Sequence, residues 1–294
     1  MRYARVAMTR PLSFRIVNVF TVDGDRFSGN PLCVFEDGRE LSDATMQSLA
    51  HQFNLSETTF ILPPSSERAT ARVRIFTPSF EMPFAGHPTL GTAHVVRALR
   101  SPGDRVQLEM KAGLVEVTAE GDAWTLRAAY EPRTRAPDAS RADLAAMLGL
   151  PESALAGAPL WVDTGAMQLV IPLATVDDVR RIAPDPALFA RHGRTAGRDE
   201  PMAYVWAPAG PGKVVSRFLF VANGGVVEDP ATGSACANLG GWMLATGAPL
   251  PVRLQVRQGE AVKRPSRLGL HVDAERRIFV RGDVMELGRG TIAL

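Results

Sequence analysis

His87-Pro88-Thr89-Leu90-Gly91-Thr92-Ala93 and Asp229-Pro230-Ala231-Thr232-Gly233-Ser234-Ala235 are two versions of one seven-residue pattern. Each reads ionisable group, Pro, two residues, Gly, hydroxyl, Ala. A Phe stands eleven positions before each ionisable group, at Phe76 and Phe218. The copies lie 142 positions apart, close to half of the 294-residue chain, which points to an internal duplication. Proline followed by small and hydroxyl residues is the composition of a helix start. The pattern therefore predicts two similar helices, over about 88–99 and 230–245. Each mouth offers a titratable side chain and free backbone N–H groups, and a helix N-terminus attracts anions. Two such mouths imply a small acid gripped between two halves.

Working outward, the segment YEPRTRAPDAS at 130–140 has the composition of a linker. It divides the chain into an N-terminal lobe, 1–130, and a C-terminal lobe, 141–294, with the last strand allowed to cross back to the first. Before it, FRIVNVFTVD, PLCVFED, TTFIL, ARVRIFTP and VQLEM read as strands, and LVEVTAEGDAWTLRA as a hairpin turning at Glu120-Gly121-Asp122. Met46, Leu49, Ala50 and Phe53 recur at helical spacing over 42–53. After the linker, Ser140 caps a helix with Asp143 in its first turn, and VDDVRRIA starts another helical stretch. MQLVIPL, AYVWAP, SRFLFVA, RLQVRQ, RLGLHVD, RIFVRGD and a short piece of GTIAL read as strands. The order partly repeats. The expected architecture is α+β, with two pseudo-symmetric lobes, each a curved mixed or antiparallel barrel-like sheet wrapped around one central apolar helix.

Composition narrows the function classes. Lys and Arg total 33 against 31 Asp and Glu, a net charge of +2 with no basic stripe, which argues against nucleic acid. The run 230–252 carries no charge, but four glycines, Asn238, Pro249 and Pro251 interrupt it. It reads as a helix enclosed by sheet rather than a membrane span. The two cysteines and five scattered histidines (51, 87, 94, 192, 271) show no disulfide framework and no metal spacing. The first eleven residues are arginine-rich without an apolar core, so they read as a ragged start and not as a secretory signal. The expected setting is cytoplasmic, without metal.

Five short segments carry candidate chemistry, and each also has a plain structural reading. Ser28-Gly29-Asn30-Pro31 is turn chemistry. Glu57, between Asn54-Leu55-Ser56 and the apolar strand that follows, can be a solvated glutamate. His87, in Phe84-Ala85-Gly86-His87-Pro88, can be a structural cap. Asp229 belongs to the residue types that best cap helices. Gly233-Ser234-Ala235 suits close helix packing.

Taken together, SGNPLCVF, NLSETTF, RIFTPSFEMPFAGHPTLGTA, GVVEDPATGSA and GRGTIAL resemble the PhzF-like isomerases of phenazine biosynthesis, which share the diaminopimelate epimerase-like fold. The resemblance covers nearly the whole chain. It implies a cofactor-free, metal-free enzyme that isomerises trans-2,3-dihydro-3-hydroxyanthranilate or a related acid, moving a proton from C3 to C1 on one face. By motif match, Glu57 is the acid/base. His87 and Asp229 hold the amino and hydroxyl edges, and Gly233 and Ser234 bind through backbone N–H and hydroxyl. Asn30 and Gly86 complete the site. The fold also implies a homodimer.

The chain departs from the two-thiol racemases of this fold, because its helix mouths read Ala85-Gly86-His87 and Asp229-Pro230-Ala231. Cys236 is expected almost two turns inside its helix, and Cys33 within a strand. Two other readings stay open: an epimerase pairing Glu57 or His87 with Asp229, and a non-catalytic small-molecule-binding relative.

Overall fold

Parallel neighbours in a sheet need a long crossover between them, and in this chain four such crossovers decide where the helices lie. The computed structural model describes residues 11–195, 200–222 and 224–294. The arginines of the opening segment precede residue 11 and lie outside them. The first half runs β1 (Leu12–Val19), β2 (Asn30–Phe35), α1 (Asp43–Phe53), β3 (Glu57–Leu62), β4 (Ala71–Phe76), β5 (Glu81–Met82), α2 (Gly86–Arg100), β6 (Arg105–Met110), β7 (Gly113–Glu120) and β8 (Ala123–Arg127). Next come β9 (Arg133–Arg135), α3 (Arg141–Met147), a single 3-10 turn, β10 (Leu160–Asp163), β11 (Met167–Pro172), α4 (Val176–Arg180) and α5 (Pro186–His192). The chain ends with β12 (Met202–Pro208), β13 (Lys213–Ala222), β14 (Gly225–Asp229), α6 (Gly233–Ala245), β15 (Val252–Gln258), β16 (Ser266–Val272) and β17 (Ile278–Ile292).

Pairing from β1 to β8 proceeds antiparallel, parallel, antiparallel, parallel, antiparallel, antiparallel, with β5 lying outside the series. From β10 to β17, with β14 outside, the same order of pairing types recurs. In both halves the second parallel crossover contains the central helix: α2 joins β4 to β6, and α6 joins β13 to β15. β17 pairs with both β8 and β1, closing an eight-stranded barrel around α2. Among the described residues all seventeen strands form one continuous sheet, which curves around both central helices; the fold is mixed α+β, as the sequence pattern leads one to expect. Ten consecutive or near-consecutive residues of α2 are buried, from Gly86 to Val96, and α6 is apolar nearly all round.

Three details depart from the sequence reading. Residues 130–140 hold a strand, β9, which pairs with β10. The terminal strands are one fifteen-residue strand and not two, with a bulge where β1 changes register between Ile16 and Val17. Glycines of that strand that look like breaks are places where aromatic rings lie against it: a Cβ on Gly282 would collide with the Phe20 ring.

The third departure concerns the doubled seven-residue pattern. α2 starts at Gly86 and α6 at Gly233, after extended Ala85 and Thr232. Pro88 is thus the third helical residue, where its missing N–H costs nothing, whereas Pro230 precedes its helix in the loop that leaves β14. The equivalent triplets are Ala85-Gly86-His87 and Thr232-Gly233-Ser234, with helix starts 147 residues apart. The seven-residue copies, 142 apart, do not superpose on the helices.

Gly282→Ala is expected to cost about 1–3 kcal/mol in urea unfolding, because the Phe20 ring must move. Gly288→Ala, which meets nothing within 4 Å, serves as the control and is expected to change little. Equal midpoints for the two variants would contradict this packing.

Candidate active site

Four peripheral helices begin with a side-chain cap: Ser42 on α1, Ser140 on α3, Thr175 on α4 and Asp185 on α5. The two central helices do not; neither Ala85 nor Thr232 supplies a capping bond. These two bare ends meet. A Cβ on Gly86 would lie 3.4 Å from Gly233 Cα and 3.5 Å from the Ser234 nitrogen, so the two helix starts lie within van der Waals reach of each other. Two sets of unsatisfied N–H groups thus converge, each carrying the positive end of a helix dipole.

Glu57 stands at the same place because α1 ends in left-handed Asn54, which turns the chain into β3. As the first residue of β3, opposite Leu32, Glu57 keeps 15% of its side-chain surface open while the strand beyond it is buried. Burial raises its pKa to about 8, and the charge of Asp229 pushes the same way. Glu57 Oε2 lies 3.4 Å from His87 Nε2, and neither atom has a hydrogen-bond partner otherwise. The other ring nitrogen of His87 bonds to the Pro31 backbone, which can only accept, so it carries the hydrogen. Burial lowers the His87 pKa to about 3. The imidazole is neutral, and its bare Nε2 faces a carboxyl that holds its proton near neutral pH.

Asp229 ends β14, directly opposite Phe218. It is not the cap of α6. Its Oδ1 accepts from Asn30 Nδ2 at 2.8 Å, and its Oδ2 from the Thr232 hydroxyl. Gln258 Nε2 bonds the Asp229 carbonyl at 2.9 Å and Thr232 Oγ1 at 3.0 Å. Burial raises the Asp229 pKa to about 6, against the lowering effect of Thr232 and Asn30. Asn30 is fully buried and also reaches the Ala231 carbonyl, so it ties the start of β2 to the approach of α6.

Ser234, the second residue of α6, accepts from Gln168 Nε2 at 3.0 Å, and Gln168 in turn is bonded to Asn238. All seven residues singled out from the sequence therefore gather around the two helix mouths. Gln168, Asn238, Gln258 and Thr232 were not among them. The available signal was a lone amide in an apolar strand (Gln168) and another in an apolar helix (Asn238). Cys236 is the fourth residue of α6, nearer its start than the sequence reading places it, yet it is fully buried, as is Cys33. Burial raises both thiols. A groove of about 850 Å³ between β7, β8 and β15–β17 holds none of the seven.

Comparisons with known proteins place this chain among isomerases. The sequence profile of the family described as phenazine biosynthesis-like protein matches residues 17–287, and the chain belongs to this family. An uncharacterised isomerase of Pasteurella multocida is 37% identical over 285 residues, covering 97% of this chain and 95% of that protein. The trans-2,3-dihydro-3-hydroxyanthranilate isomerase of Pseudomonas aeruginosa is 35% identical over 260 residues, covering 86% and 88%. The crystal structure of a PhzF-family protein of Bacillus anthracis superposes with a TM-score of 0.83 at 23% identity, over 97% of this chain and 100% of that one, which shows the fold. Among the described residues, no helix is long and apolar enough to cross a membrane.

Because the folded pKa of Glu57 lies above its ordinary value, its contribution favours folding at low pH and is lost as pH rises through about 8. Glu57→Gln removes this loss. The stability of the variant relative to the parent is expected to increase between about pH 5 and pH 8.5, measured by urea unfolding. A gap that does not change with pH would contradict the burial of an ionisable Glu57.

Proposed function

We propose that the protein moves one proton between carbons of a small cyclic amino- and hydroxy-acid, most closely trans-2,3-dihydro-3-hydroxyanthranilate, with Glu57 as its acid/base. The observation that carries this reading is the state of Glu57: a buried carboxyl, pushed to about 8, beside a neutral imidazole and two uncapped helix mouths. A proton shift along an unsaturated ring acid needs one group able to take and return the same proton, with a pKa near the working pH. With a pKa of about 8, Glu57 has an ionised fraction that takes the proton from C3 and a protonated form that returns it to C1, and such general acid–base action contributes about 10²–10⁴-fold in rate.

The other residues divide the remaining work. The bare N–H groups of Gly233 and Ser234, with the Ser234 hydroxyl, receive the substrate carboxylate. Their positive field also stabilises charge that spreads over the ring as the proton leaves C3. His87 Nε2, an acceptor, and Asp229, held in place by Asn30 and Thr232, take the amino and hydroxyl edges. Gly86 leaves room for the ligand beside the α6 start. Return of the proton to C1 from the same carboxyl keeps the transfer on one face. On the family resemblance, the expected setting is a homodimer in the cytoplasm.

The raised pKa of Asp229 favours a second reading, an epimerase with Glu57 and Asp229 as opposed bases. Both oxygens of Asp229 are already bonded to protein donors, whereas Glu57 Oε2 is not, which supports the single-base reading. Deuterium uptake from solvent with loss of optical purity would mark the epimerase.

Glu57→Gln is expected to lower turnover of trans-2,3-dihydro-3-hydroxyanthranilate at least about 10²-fold while binding of the non-reacting 3-hydroxyanthranilate changes little. Turnover at the parent rate would remove Glu57 from the chemistry. Asp229→Ala is expected to raise KM and lower kcat together; an unchanged KM would confine Asp229 to shaping the loop.

A further inference from the structure

Thr164, Asn238, Gln168 and Ser234 form a continuous hydrogen-bonded chain that ends at the mouth of α6. Its polarity is fixed by backbone groups. The Thr164 N–H donates to Asn238 Oδ1 at 3.0 Å, and the Thr164 hydroxyl donates to the same oxygen at 2.7 Å. A backbone N–H has no acceptor form. Asn238 Nδ2 donates to the Ala166 carbonyl at 2.7 Å, and a carbonyl cannot donate. The second hydrogen of that nitrogen goes to Gln168 Oε1 at 2.8 Å. Gln168 must then turn its own nitrogen toward Ser234, and it donates to Oγ at 3.0 Å. Reversing Asn238 would set N–H against N–H at Thr164 and oxygen against oxygen at Ala166, and reversing Gln168 would set its NH2 against Asn238 Nδ2. Asn238 is fully buried, and Gln168 and Thr164 are 3% and 4% exposed, so solvent offers these groups no alternative.

Ser234 Oγ has no other partner among the described residues, and its hydrogen is left unspent. We propose that Gln168 and Asn238 are positioning residues which hold the Ser234 hydroxyl as a donor, and thereby select a ligand with a carboxylate oxygen at the α6 mouth. A serine with a free rotor donates or accepts and discriminates poorly. Here Gln168 occupies one of the two acceptor positions of Oγ and leaves the hydrogen uncommitted, so the hydroxyl is biased to donate to the ligand. The selection acts in the same direction as the uncapped N–H groups beside it. This inference rests on the reading of the cleft as an acid site.

Neutron diffraction from ligand-free crystals grown in D2O reads the relay directly. The expected result is a Ser234 deuterium directed away from Gln168, with the Gln168 nitrogen facing Ser234. A Ser234 deuterium on the line to Gln168 overturns the proposal, whatever the substrate. Binding of 3-hydroxyanthranilate then reads the consequence. Q168L and S234A are each expected to weaken it about tenfold, and the double variant no more than S234A alone. Independent, additive losses overturn the relay, since Gln168 would then act other than through Ser234. Q168E keeps an acceptor for Asn238 and serves if Q168L does not fold. Its binding is expected to hold while the introduced carboxyl is protonated and to fall about tenfold on ionisation; affinity equal to the parent at every pH overturns the relay. Parent protein that does not bind the acid overturns the acid-site reading instead, and the deuterium position still decides the relay.

Discussion

Everything in this molecule depends on two helix starts being allowed to touch. Gly86 and Gly233 face each other, so that a methyl group on either would stand 3.4–3.6 Å from the other's Cα. Neither central helix has a side-chain cap. The cost is two sets of unpaired N–H groups inside the protein. The gain is a positive pocket that no side chain has to supply. The topology makes this arrangement possible, because the second parallel crossover of each half threads its helix through the curved sheet and sends its start to the shared cleft.

The same burial sets the charges. Glu57 rises because water is excluded and Asp229 is near, while His87 falls because its imidazole is enclosed. The outcome is a carboxyl that keeps its proton facing a base that declines it. Asp229 is treated differently. Donors from Asn30 and Thr232 offset part of its burial, so it stays more acidic than Glu57. Two carboxyls whose environments push them apart in this way suit different roles.

Much of this was legible in the sequence. Alternation and helical spacing located α1 and strands such as β4, β6, β15 and β16, whose two faces differ in exposure, while β2, β3, β11 and β12, buried on both faces, read as short apolar runs. Glu57, His87 and Asp229 each had a plain structural reading, and only the match of their combined motifs to a known family singled them out. The doubled pattern led to the right helices but the wrong register. Proline marks a helix start loosely: Pro88 lies inside its helix and Pro230 before it. The polar relay was not legible, since Gln168 and Asn238 are 70 residues apart and each is a single amide in an apolar run. Nor was the continuity of β17, where glycines serve aromatic rings instead of turns.

The central claim is that one enclosed carboxyl carries one proton between two positions. Substrate labelled with deuterium at C3, converted in ordinary water in a single turnover, tests it most directly. The account predicts that part of the label reappears at C1 on the face it left, because Glu57 is shielded and returns what it took. Complete loss of label to water, with product of both configurations, would contradict it.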